Sequence, residues 1–179
     1  MTDSRSVGGK VVAGLYGKAL SKWLTPEVKE ALKGAGIDTA AFAASYSYQS
    51  WVDGLNATSN ALFPDQLPPA ALRSLGQRVV LGLREGGVIK GAYITMAKFA
   101  GPKRVLKQLD GQRLEGAEFL APKVIERGSK QIEVELGEVA SLSFLAGALE
   151  AALEALGVRD GRVDQSVRGE CGVLLVSWS

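Results

Sequence analysis

Gln131-Ile132-Glu133-Val134-Glu135-Leu136, followed closely by Ser141-Leu142-Ser143-Phe144-Leu145-Ala146-Gly147-Ala148-Leu149-Glu150-Ala151-Ala152-Leu153-Glu154-Ala155-Leu156, decides the fold. The first six residues alternate strictly between polar and apolar. That period of two predicts a half-buried strand, with Ile132, Val134 and Leu136 facing a core and Glu133 and Glu135 facing water. In the second stretch Leu142, Leu145, Leu149, Leu153 and Leu156 form one stripe at helical spacing, and Gly157 closes the helix. Upstream, Gly128-Ser129 turns the chain out of a strand near Val124 and Ile125, which makes a hairpin. Downstream, residues 163–167 and 173–178 form a second hairpin around Gly169, and the unbroken run Val173-Leu174-Leu175-Val176 suits an interior strand. The order is β-β-α-β-β, with an antiparallel sheet.

The first half of the chain reads as helices. One is expected from Val11 to about Trp23. Thr25-Pro26-Glu27 starts a second, with a hydroxyl cap, a proline where its missing N–H costs nothing, and a carboxylate at the positive helix end. Gly34 and Gly36 close it. A third spans Tyr46 to Leu62, a fourth follows Leu67-Pro68-Pro69, and a fifth covers Val88 to Ala100 before Gly101-Pro102 and a short helix through Leu106. The fold class is α+β, an N-terminal helical half packed on a C-terminal antiparallel sheet. Residues 1–10 read as a flexible N-terminus and 11–179 as a single domain.

Composition narrows the function classes. The 179 residues include 21 Lys plus Arg and 19 Asp plus Glu, a net charge of +2. No strong field that would capture nucleic acid follows from that balance. The charge is uneven: residues 1–110 carry 14 basic and 8 acidic side chains, and residues 111–179 carry 7 and 11. Histidine is absent and there is one cysteine. Imidazole bases, Ser/His and Cys/His pairs, histidine-held zinc, and histidine-ligated haem are therefore excluded, and no metal is expected. The polar start lacks the apolar core of a signal peptide, and no apolar run is long enough to cross a bilayer. A cytoplasmic protein without membrane insertion is expected.

Candidate sites are few. Cys171 has no base to form a thiolate and reads as a small structural residue. Paired function for Glu133 and Glu135 would need one of them desolvated, whereas their alternation makes them a solvated face. The stretch Gly82-Leu83-Arg84-Glu85-Gly86-Gly87-Val88-Ile89-Lys90-Gly91 lacks the Ser or Thr after lysine that a phosphate loop needs, and reads as a helix break. Gly101-Pro102-Lys103-Arg104 offers Lys103 and Arg104 as anion binders at a helix start, or as an ordinary solvated helix face. Tyr46, Tyr48 and Trp51 in one helix, with Tyr93, Met96 and Phe99 in another, are either core packing or the lining of a small-molecule pocket. Tyr46, Tyr48, Trp51, Tyr93 and Met96 are the ligand-binding candidates.

Leu24-Thr25-Pro26, Gly36-Ile37-Asp38, Trp51, Leu62-Phe63-Pro64, Leu75-Gly76, Gly101-Pro102-Lys103-Arg104, Phe144, Gly147-Ala148-Leu149-Glu150 and Val176-Ser177-Trp178 stand in an order that resembles one family. It is a paralogous family of roughly 180-residue myxobacterial proteins of unknown function. The likeness runs from about Leu15 to Trp178. Its layout is in turn similar to a ligand-binding superfamily that includes haem nitric-oxide sensors, four-vinyl-reductase-type sensor domains and lipid-pocketed vesicle-tethering subunits. That resemblance implies a cavity between helices and sheet and a tendency to form homodimers. This chain departs from the haem sensors in having no proximal histidine. It also departs from its own family at Gln112-Arg113-Leu114-Glu115-Gly116-Ala117-Glu118-Phe119, where an asparagine- and aromatic-rich segment is expected.

Together these readings predict a non-catalytic sensor or interaction module, binding a small apolar ligand or a protein partner and acting as a homodimer. No cofactor and no catalytic residue are assigned. Two rivals stand beside it: a histidine-free enzyme relying on carboxylates, lysine or tyrosine, and a structural scaffold dimerising through the Leu142 stripe or a sheet edge.

Overall fold

The N-terminal strand overturns one expectation at once. Ser6–Gly8 (β1) pairs antiparallel with Ser45–Ser47 (β2), Val7 opposite Tyr46, and Val7 is fully buried. Within the stretch expected to be flexible, residues 6–8 are thus pinned: the Gly8 N–H donates to the Gly116 carbonyl at 2.7 Å; residues 1–4 lie outside the described residues. The computed structural model describes residues 5–89, 91–112, 115–137 and 139–179, except for the side chains of 91–93. Lys90 of the glycine-rich stretch, and Arg113 and Leu114 of the divergent segment, lie outside the described residues.

Three turn types replace the single helix expected over 11–23. Gly9–Gly14 (α1) is followed by a π-helical turn at Leu15–Ala19 and a 3₁₀ turn at Ser21–Trp23. The Leu20 N–H reaches back five residues to the Leu15 carbonyl at 2.8 Å, the wider spacing of a π-turn. Pro26–Gly34 (α2) begins as its sequence dictates, with the Val28 N–H donating to Thr25 Oγ1 at 3.3 Å. Tyr48–Leu62 (α3) starts two residues later than expected. Ser47 Oγ accepts from the Ser50 N–H at 3.0 Å and fixes the helix start there, leaving Tyr46 in β2. Pro68–Glu85 (α4), Gly91–Ala100 (α5) and Pro102–Lys107 (α6) complete the helical half. α5 starts at Gly91 rather than Val88, because Gly87 adopts a left-handed φ of 68° that ends the preceding turn.

The second half follows the predicted order. Lys123–Gly128 (β3), Gln131–Leu136 (β4), Leu142–Ala155 (α7), Arg162–Arg168 (β5) and Cys171–Ser177 (β6) form a four-stranded sheet in the order β3-β4-β6-β5, antiparallel throughout. β6 lies between β4 and β5, as its unbroken apolar run requires.

α7 joins the two halves. Leu142, Ala146 and Leu153 pack with Ile132, Val134, Leu174 and Val176 of the sheet, while Phe144 packs with Trp51, Leu72 and Leu75 of the helical half. The Leu142 stripe is therefore core, and does not form the dimer face of the scaffold reading. α4 and α7 approach backbone to backbone. A Cβ on Gly76 would lie 2.0 Å from the Phe144 carbonyl oxygen, and one on Gly147 would lie 1.9 Å from that of Arg73. Across the same crossing Arg73 binds Glu150, with Nε to Oε2 at 2.9 Å, and donates to the Val163 carbonyl of β5.

Glu133 corrects the expectation of a wet pair on β4. It faces the outer side of the sheet but is only 5% exposed. Arg127 of β3 grips it at 2.9 and 3.1 Å, and Arg168 of β5 reaches it at 2.9 Å and Glu135 at 2.8 Å. Cys171 is exposed at the start of β6 rather than packed as a structural residue.

Candidate ligand-binding site

An apolar cavity of about 310 Å³ opens where the N-terminal strand, α3, the segment before β3 and the start of α7 meet. Val7, Trp51, Ala117, Phe119, Phe144 and Leu145 supply its apolar wall. The local sequence explains why these elements converge. Gly8 and Gly116 let two backbones touch, since a Cβ on Gly8 would lie 2.9 Å from the Gly116 Cα. Gly116 also takes a φ of +82°, which a side chain would strain. Polar groups are sparse: Glu115 stands at the rim, 89% exposed and 3.7 Å from Lys10, and Ser141 is buried at the α7 end.

Aromatic contacts fix the walls. Trp51 meets Phe144 edge to face, with centroids 6.3 Å apart, and Phe119 meets Tyr48 at 5.3 Å and 74°. The Arg5 guanidinium carbon lies 3.7 Å from the centre of the Tyr48 ring. The Trp51 indole N–H is buried without an acceptor among the described residues, so this side chain is positioned by packing alone.

Two other depressions differ in kind. A smaller apolar cavity of about 200 Å³ lies under α5, lined by Val80, Ile94, Ala97, Val105 and Ala152 among others. A larger groove of about 690 Å³ runs between α4 and α7, with Arg78, Arg84, Glu150, Glu154 and Arg159 on its walls. Size alone would favour that groove, but its open, charged surface suits water better than an apolar molecule.

Of the residues singled out in the sequence, Trp51 lines the 310 Å³ cavity and Tyr48 backs it through Phe119. Tyr46 is buried in β2, its hydroxyl accepting from the Ala43 N–H at 2.8 Å, and belongs to the helical core. The side chain of Tyr93 lies outside the described residues. Met96 does not join the group, being 65% exposed on α5. The anion-binding expectation meets an internal occupant: Glu126 pairs with Lys103 and sits 2.6 Å from Lys107. Hydrogen bonds from Lys103 and Lys107 hold the Glu126 carboxyl down at about 2. Arg104 is exposed. Sequence reasoning missed Val7, Ala117 and Phe119 as lining residues. The divergence at 112–119 was the one signal pointing to this wall.

Residues 5–179 match the model of a protein family of unknown function, DUF2378. The chain belongs to that family. No curated protein matches it. Solved structures with the same fold include H-NOX domains. An oxygen-binding H-NOX domain related to soluble guanylate cyclases is 13% identical, with a TM-score of 0.62 over 96% of this chain and 94% of that one. The unliganded Fe(II) H-NOX protein from K. algicida is 10% identical, with a TM-score of 0.63 over 96% of both chains. The shared property is the mixed α+β fold.

That fold raises the question of haem, and the donors among the described residues do not fit it. Haem iron is held by His, Cys, Met or Tyr. Histidine is absent, Cys171 is exposed on the sheet, and Met96 points away from the fold. Tyr16, Tyr46 and Tyr48 line neither apolar cavity, and the side chain of Tyr93 lies outside the described residues. Tyr16 is fully buried; burial raises its pKa, and a 3.5 Å hydrogen bond from Thr58 only partly offsets this. Among the described residues no group of three Asp, Glu or Cys could hold a metal ion.

Proposed function

We propose that this protein is a sensor-type binding module whose ligand is a compact apolar molecule held in the Trp51–Phe144 cavity. The observation that carries this reading is the cavity itself. It has an apolar wall at the junction of the two halves, in a core otherwise close-packed enough for α4 and α7 to touch through glycines. A volume of about 310 Å³ is at the lower end for small-molecule sites. The likeness of fold to ligand-binding sensor domains supports the same reading. Binding there would bridge β1, α3, the 115–120 segment and α7, and so couple the helical half to the sheet. The histidine-free enzyme is the weaker reading, because Tyr16 and Glu133 are buried in neither apolar cavity.

Ala117→Leu tests the proposal. Ala117 is 5% exposed on the cavity wall. Three added carbons should fill the space and leave the unliganded protein as stable or up to about 1 kcal/mol more stable. Ligand retention should be lost. Unchanged retention, read by mass, would count against this cavity as the site.

A further inference from the structure

α5 is apolar on two sides but covered on only one. Its ten residues, Gly-Ala-Tyr-Ile-Thr-Met-Ala-Lys-Phe-Ala, carry a single charge, Lys98. Ile94 and Ala97 face inward and line the small cavity beneath the helix. Successive residues turn by about 100°, which sets Met96 and Phe99 on the opposite side. They are 65% and 89% exposed, one helical turn apart. Exposure of a Phe to this degree leaves a large apolar surface in water.

The charges of this stretch of sequence have one sign. Between Glu85 and Asp110 the chain holds no acidic residue and five basic ones: Lys90, Lys98, Lys103, Arg104 and Lys107. Glu126 neutralises Lys103 and Lys107, whereas Lys98 and Arg104 form no ion pair among the described residues. A projecting apolar pair on a segment that carries unneutralised cations matches an anionic lipid surface, whose headgroups take the cations while the acyl boundary takes the apolar tips. A ten-residue helix is about 15 Å long and cannot span a hydrocarbon layer of about 30 Å. It can only lie on the surface. A second copy of the chain is the rival occupant, and the test below separates the two.

We infer that the Met96–Phe99 face of α5, with Lys98 on the same helix and Arg104 on α6, docks this protein peripherally on anionic membranes. The inference is independent of the cavity proposed above. Its test is co-sedimentation of the full chain with vesicles of phosphatidylcholine alone or doped with phosphatidylglycerol, alongside sedimentation velocity without lipid. Wild type should pellet with the anionic vesicles only, and added salt should release it. Phe99→Ser should weaken binding about tenfold with an unchanged melting temperature, because the side chain is already in water. The double change Lys98→Ala, Arg104→Ala should weaken it several-fold. Wild type remaining in the supernatant, equal binding to neutral vesicles, or Phe99→Ser binding like wild type would each overturn the inference. So would a wild-type dimer that Phe99→Ser dissociates, since the face would then be covered by a second copy.

Discussion

At the scale of single residues, Glu133 shows how a side chain can lie on the outer face of a sheet and still be enclosed. Its carboxylate is roofed by Arg127 and Arg168, and their hydrogen bonds hold it down at about 2, well below the usual carboxylate range. A folded-state pKa below the unfolded one stabilises the fold above the unfolded value, and that stabilisation is lost as pH falls through the folded value. Part of the acid sensitivity between roughly pH 4.5 and 2 should therefore come from Glu133. Glu133→Gln should lower stability at pH 7 and flatten this limb, as read from urea midpoints at pH 7 and pH 3. An unchanged pH profile would mean that the arginine roof contributes nothing. The alternation of β4 reveals which face Glu133 occupies. It cannot reveal the enclosure, because Arg168 lies on β5, two strands away, and only the β3-β4-β6-β5 order brings it across. Trp51 teaches a related lesson. Only 7% exposed and set against Phe144, it should cost about 3–5 kcal/mol when cut to Ala, so Trp51→Ala would test folding before ligand binding.

At the scale of elements, the α4–α7 crossing organises the molecule. Gly76→Ala or Gly147→Ala must push a carbonyl aside and should each destabilise by about 3 kcal/mol or more, seen as a lower urea midpoint at constant slope. Gly14→Ala is the control. It has a helical φ of −63° and nothing within 4 Å of a new Cβ, and should be neutral or stabilising by about 0.5–1 kcal/mol. Equal losses at all three positions would argue against the close crossing. The elements legible in sequence were those with a sustained period: the β4 alternation, the α7 stripe, the proline-started α2 and α4, and the apolar run of β6. β1 and β2 were not legible, because three residues are too few to show a period. Their strand state depends on pairing across 39 residues, Val7 with Tyr46. The π-turn at Leu15–Ala19 was hidden for a similar reason, since its residues keep helical spacing while the hydrogen bonds shift by one.

At the scale of the whole molecule, a fold shared with H-NOX domains is built here around a chain without histidine. Haemin titrated into the protein should give no spectrum of a histidine-ligated iron, and a stoichiometric Soret shift would contradict the donor analysis. The cavity was only partly foreseeable. Trp51 could be named, and the divergent 112–119 segment could be marked as unusual. That Val7, Ala117 and Phe144 share a wall with Trp51 depends on the N-terminus folding back on Gly116, a contact across 108 residues. The most direct test of a ligand held between the two halves is native mass spectrometry of freshly purified protein, compared with a denaturing run of the same sample. The account predicts excess mass in the native spectrum that disappears on denaturation and is absent from Ala117→Leu. Identical masses in both runs, with no rise in melting temperature when small apolar probes such as octanol are added, would contradict it.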